Sequence, residues 1–127
     1  MSTVTDDIGE APERQNDTAA ALDFDVIGIG AGFAGLALIH YLRKLGLSVR
    51  IFDKASDVGG TWTWNRYPGA ATDSESYYYC LTFSKELLQK WSWTKRYPGW
   101  EETLSYFHFI ADECDMWPDI QLLRFPY

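Results

Sequence analysis

The apolar residues of this chain fall into separate blocks, and their spacing changes from block to block. Residues 1–21 show almost no apolar pattern and predict a disordered acidic tail ahead of a folded region, 22–127. "FDVIGI", Phe24 to Ile29, is a short run rich in β-branched residues and ended by glycine, which predicts a buried strand. "FAGLALIHYLRKL", Phe33 to Leu45, is apolar almost all round until Arg43 and Lys44, whose charges suit a helix C-terminus, and Gly46 suits its cap. "SVRIF", Ser48 to Phe52, predicts a second buried strand. Strand, helix and strand within about thirty residues predict a β-α-β unit with parallel strands.

After Asp53 the regular pattern breaks. Lys54 to Ser76 is punctuated by Gly59, Gly60, Pro68 and Gly69 and predicts an ordered loop. Tyr77 to Thr82 predicts a short extended piece, and Ser84 a cap for a helix running to about Trp91. Beyond the break at Pro98-Gly99, Trp100, Leu104, Phe107, Ile110, Ala111 and Cys114 fall at helical spacing, with Glu101 and Glu102 in the first turn. Pro118 is expected to stop that helix, and Ile120 to Leu123 to begin a strand. The fold class is α/β: a Rossmann-like β-α-β unit followed by an aromatic loop and helices, an incomplete doubly wound domain.

Composition narrows the function classes. The net charge of −7 argues against nucleic acid and anionic membranes as partners. Five acids against Arg14 lie before Leu22, leaving a net charge of −3 on the rest. Val26 to Leu42 carries no charged side chain, but its glycines fit a buried strand-turn-helix better than a membrane span. The acidic start is no signal peptide, so a cytoplasmic location is expected. Cys80 and Cys114 have no metal-ligand spacing and are expected to be buried free thiols. His40 and His108 are isolated, and no metal site is expected.

The candidate chemistry begins at "GAGFAG", Gly30 to Gly35, between the predicted strand and helix. Gly30 permits the tight turn, Gly32 lets backbone approach a pyrophosphate, and Gly35 lets helix and strand pack closely. The helix N-terminus supplies free N–H groups and about half a positive charge. Leu36 and Ala37 follow, so the Gly-Lys-Ser/Thr of a nucleoside-triphosphate loop is absent. Asp53 ends the second strand, at the distance beyond the glycines where an acid binds a ribose diol and disfavours a 2′-phosphate. FAD or NAD fits there better than NADP.

"GGTWTWNRYPG", Gly59 to Gly69, separates those two. With the fingerprint upstream and Asp73 downstream, the chain resembles the class B flavoprotein monooxygenases, and within them the Baeyer–Villiger monooxygenases. The similarity continues through "SYYYCLTFSKELLQKWSW" and "FHFIADECDMW", from about Leu22 to Ile120. The resemblance implies FAD as bound cofactor, NADPH as co-substrate with its main site outside these residues, and insertion of one oxygen atom of dioxygen into a ketone to give an ester or lactone. It implies that Gly30, Gly32, Phe33 and Gly35 line the pyrophosphate, that Asp53 binds the ribose, and that Gly60, Thr61, Trp62, Thr63 and Trp64 wrap the flavin side. Ala71, Thr72 and Asp73 would border the nicotinamide cofactor, with Asp73 beside the flavin ring as the catalytic candidate. Tyr79 would touch FAD. Thr63 stands where the family often has an aromatic residue, and Asp53 where it more often has glutamate.

Such enzymes run to several hundred residues with a second dinucleotide unit, so the chain is expected to be an amino-terminal part, inactive alone. Oxygenation of nitrogen or sulfur is the alternative reaction. A truncated, non-catalytic FAD-binding fragment is a second alternative, and an NAD-dependent dehydrogenase, for which the aromatic loop has no use, a third.

Overall fold

A computed structural model describes residues 21–123, so the expected tail, apart from Ala21, lies outside the described residues. Strand β1 is Val26–Ile29, helix α1 Phe33–Lys44 and strand β2 Val49–Asp53. Then come α2 (Thr61–Trp64), α3 (Lys85–Lys90), α4 (Trp100–Glu113), a 3-10 turn (Trp117–Asp119) and β3 (Ile120–Leu122). The sheet is wholly parallel with order β1-β2-β3. Val26 lies opposite Val49, and Ile51 opposite Ile120. The chain is thus α/β and Rossmann-like, as its pattern predicts.

The core lies on one face of this sheet. Val49 and Ile51 of β2 are buried with Leu36 and Ile39 of α1 and with Phe107, Ile110 and Ala111 of α4. Arg43 ties the far end of α1 to the end of α4: its guanidinium donates to the Cys114 and Asp115 carbonyls and to the Asp119 carboxylate. The expected burial of β1 is not met: Val26 and Gly28 are half-buried and the other two residues are exposed. Ile27 and Ile29 are 59% and 85% exposed, because β1 is an edge strand and the helices cover the opposite face.

Four other expectations need correction. The segment after Asp53 contains a helical turn, α2. Tyr77 to Thr82 is not extended: Tyr78 and Tyr79 N–H bond back to Glu75, a turn that exposes Tyr77 and Tyr78 and leaves Leu81 buried. Helix α4 ends at Glu113, before Pro118, and its buried face is Thr103, Tyr106, Phe107, Ile110 and Ala111, with Trp100 and Cys114 only partly buried. Its end closes as a Schellman motif, Asp115 N–H bonding to Asp112 and Met116 N–H to Ala111, with Asp115 at φ 47. Pro118 sits in the 3-10 turn beyond. Both cysteines are free but half-buried, and burial pushes both thiols up from their ordinary range.

Candidate functional site

The turn from β1 into α1 forms the site's floor. Gly30 adopts φ +100, which only glycine enters freely. A Cβ on Gly35 would collide with the Gly30 carbonyl oxygen, so that position admits no side chain. The N-terminus of α1 has no side-chain cap and no acid in its first turn. Its leading N–H groups are therefore left for an outside anion.

A second glycine pair closes on this turn. Gly59 N–H donates to the Ala31 carbonyl at 2.9 Å. Gly60, at φ 56 and ψ −120, faces Gly32 so closely that a Cβ on Gly60 would stand 3.1 Å from the Gly32 Cα. The glycines of the two motifs thus form one wall. Gly60 is small partly for Gly32, a reason the motif alone does not reveal.

Asp53 is a buried carboxylate, and its two oxygens accept N–H bonds from Ala31 (2.7 Å) and Ala55 (2.8 Å). One of those donors lies inside the glycine turn. Asp53 thus holds the turn in shape from the end of β2. A carboxylate offers about four lone-pair sites, so two are left for a diol.

The aromatic loop divides into two roles. Trp62 is buried, and its indole donates to the Tyr79 hydroxyl at 3.0 Å. Tyr79 in turn stands edge-on to Phe33, 5.0 Å between centroids. Phe33 also packs on Phe107 at 4.6 Å. The Phe33 ring is therefore half-buried and packed against the core. Thr63 is buried with its hydroxyl donating to the Val58 carbonyl at 2.5 Å, so its side chain faces its own loop. Thr61 is exposed, and both its hydroxyl and its carbonyl accept from the Asn65 amide. Trp64 is half exposed, with the Lys54 ammonium 5.5 Å from its ring centroid. The Arg66 guanidinium stacks over Trp100.

Ala71, Thr72 and Asp73 are anchored elsewhere. Ala71 bridges to Gly99, and Thr72 N–H donates to Pro98 at 3.0 Å. Asp73 is exposed, and among the described residues its carboxylate meets only the Ser74 hydroxyl, at 3.5 Å. Hydrogen bonds among the described residues thus unite Asp53 and Gly59 with the glycine turn, and close packing adds Gly60. They tie Ala71 and Thr72 to the start of α4. Sequence reading did not anticipate the His108–Asp57 pair, 2.8 Å apart, which ties α4 to the loop after β2. No local signal marks it, since 51 residues separate the partners.

Comparison with known proteins follows the same lines. The model of the NAD(P)-binding Rossmann-like domain matches residues 29–92, from the end of β1 through the aromatic loop. The chain belongs to this Rossmann-like family. It is 51% identical over 105 residues to a Baeyer-Villiger monooxygenase of Pseudooceanicola batsensis, covering 82% of this chain and 19% of that protein. It is 52% identical over 100 residues to the phenazine N-monooxygenase PhzNO1 of Lysobacter antibioticus, covering 78% of this chain and 18% of the relative. A solved structure, an oxidized steroid monooxygenase bound to NADP, superposes with a TM-score of 0.76 at 49% identity, covering 78% of this chain and 19% of that one. The resemblance to Baeyer–Villiger monooxygenases therefore holds over most of the chain, which spans under one fifth of these relatives' length. Among the described residues no cluster of His, Cys, Asp and Glu suits a metal ion, and no helix is long and apolar enough to cross a membrane.

Proposed function

We propose that this Rossmann-like unit holds FAD and serves an NADPH-dependent monooxygenase of the Baeyer–Villiger type, which inserts one oxygen atom of dioxygen into a ketone. The observation that carries the reading is the wall formed by Gly32 and Gly60 beside the uncapped start of α1. It leaves backbone N–H groups and no side chain where a pyrophosphate needs close approach. Asp53 supports the ribose assignment, and its negative charge opposes a 2′-phosphate at this position. NADPH is accordingly assigned a separate site. FAD, when bound, supplies the redox chemistry, taking hydride from NADPH and passing oxygen to the substrate.

The chain's own residues bind and orient. The turn Gly30–Gly35 holds the diphosphate, and Asp53 keeps that turn shaped while binding the diol. Trp62 and Tyr79 pack as one unit behind the cradle, and Trp64 covers the flavin side against water. Asp73, on the anchored segment, orients a cationic partner by charge-assisted hydrogen bonding. N-oxygenation is the second reading, favoured by the high identity to the phenazine N-monooxygenase.

Equilibrium dialysis of the chain against FAD and against NADP+ tests the cradle. Retention of FAD in preference to NADP+, lost in Gly32→Val, is the expected result. NADP+ retained in place of FAD, or FAD retained equally by Gly32→Val, refutes it. Product analysis of the enzyme containing this unit, offered cyclohexanone and phenazine, distinguishes the two oxygenations.

A further inference from the structure

The loop between β2 and α2 carries the second glycine pair, and helix α4 holds that loop at two points one turn apart. Leu104 and His108 stand at i and i+4 on one face of α4. Leu104 packs so closely on Gly59 that a Cβ there would stand 2.7 Å from the Leu104 Cδ1. The His108 Nε2 lies 2.8 and 2.9 Å from the two carboxylate oxygens of Asp57. A carboxylate only accepts, so this nitrogen carries the proton and donates it. The Trp117 ring stands edge-on to the imidazole, 5.6 Å between centroids, and its own indole N–H is held by the Asp112 carboxylate at 2.6 Å.

From Asp57 the connection runs to the glycine turn through consecutive residues. The Asp57 carboxylate also accepts the Val58 N–H at 2.8 Å. Val58 is fully buried, and its carbonyl accepts the Thr63 hydroxyl. Gly59 then donates to the Ala31 carbonyl, and Gly60 meets Gly32. A carboxylate oriented by His108 thus stands at the head of the wall that faces the cradle. The pair itself is open to water, with the His108 and Asp57 side chains 44% and 23% exposed. An ion pair so exposed adds little to global stability. What it fixes is the local placement of the loop.

We propose that His108 is a positioning residue for the cofactor cradle: acting through Asp57, it holds Gly59 and Gly60 against the glycine turn and so sets the affinity for FAD. The inference rests on the reading of this cradle as an FAD site. A group that locks the geometry of a binding surface controls affinity without touching the ligand.

The test compares the full chain with His108→Leu, His108→Gln, Asp57→Ala and the double variant Asp57→Ala/His108→Leu. Glutamine offers an amide N–H to Asp57 in place of the imidazole N–H. Amide hydrogen exchange is followed at Gly59 and, as a control, at Ile39 in the middle of α1, and FAD affinity is measured by equilibrium dialysis. His108→Leu is expected to speed exchange at Gly59 about fivefold and to weaken FAD binding by about the same factor, the upper range for an exposed pair, with Ile39 unchanged. His108→Gln restores most of both. Once Asp57 is alanine, His108→Leu changes neither readout further. Unchanged exchange at Gly59 in His108→Leu overturns the proposal. So does equal acceleration at Ile39, which marks a general loss of stability, failure of His108→Gln to restore either readout, or a full effect of His108→Leu in the absence of Asp57. A wild-type chain that retains no FAD refutes the FAD reading of the cradle and this proposal with it. FAD held equally by the wild type and His108→Leu refutes the positioning role alone.

Discussion

Gly32 and Gly60 meet backbone to backbone: a methyl group placed on Gly60 would stand 3.1 Å from the Cα of Gly32. The contact joins two motifs that lie well apart in the chain, and the Gly59–Ala31 hydrogen bond fixes its register. The two positions are not equivalent. Gly60 has φ 56 with ψ −120, a conformation hostile to any side chain, whereas Gly32 has φ −90. Gly60→Ala is therefore expected to cost on the order of 1–3 kcal/mol, and Gly32→Ala clearly less. Urea unfolding of both variants measures this, and equal losses would contradict the asymmetry.

Asp53 accepts two backbone N–H groups from opposite sides. Asp53→Asn turns one acceptor into a donor that faces an N–H. The variant should lose about 1–3 kcal/mol of stability and expose the Ala31 amide to faster hydrogen exchange. An unchanged exchange rate at Ala31 would show that the carboxylate does not shape the glycine turn.

Much of this arrangement is legible in the sequence because its causes are local. GAGFAG lies between a β-branched run and an apolar helix, so strand, turn and helix follow from spacing. Ser84 caps α3 as read, its hydroxyl accepting the Leu87 N–H. The errors arise where distant residues decide. The outward face of β1 is exposed because the helices pack on the other face, which periodicity within β1 cannot report. The packing of the Phe33 ring on Tyr79 and Phe107, both far later in the chain, is likewise beyond local reading.

The end of α4 offers a stabilising substitution. Asp115 holds φ 47 at the position where a helix closes with glycine, while its carbonyl accepts from Arg43. Asp115→Gly removes the strain and leaves that carbonyl in place. A gain of about 0.5–1.5 kcal/mol is expected, read as a rise in Tm. A fall in Tm would mean that the Asp115 side chain stabilises the turn by more than its backbone costs.

Tyr106 sets an alkaline limit. Its phenol is raised from 10.0 to about 12 by burial, against the lowering effect of the Leu81 N–H. Below pH 10 both folded and unfolded chains keep this proton, and the group adds no pH dependence. Between pH 10 and about 12 the unfolded chain loses the proton first, so stability falls as pH rises. Tyr106→Phe should be less stable at pH 7 yet show a shallower decline over that window. Parallel declines in urea titrations of the two proteins would refute the assignment.

Asp73 is expected to act on chemistry and not on cofactor retention. Its segment is held by Ala71–Gly99 and Thr72–Pro98 contacts, apart from the hydrogen bonds of the glycine turn. In the enzyme containing this unit, Asp73→Ala should keep its flavin and accept hydride normally. Product formation should fall by about ten- to a thousandfold, or about 1.4–4 kcal/mol in the barrier. Loss of flavin on purification, or undiminished product, would sink this role.

The pairing of β2 with β3 also sets a schedule. Asp53 and Leu122 lie side by side in the sheet, yet the ribosome makes Leu122 only after the aromatic loop, α3 and α4 have been added. At about 5–20 residues per second, β2 waits roughly 3–14 s for its neighbour. During that interval its free edge and the unclamped Arg43 face solvent or a chaperone, so synonymous codon changes between Lys54 and Asp119 would alter the yield of folded protein without altering a single residue.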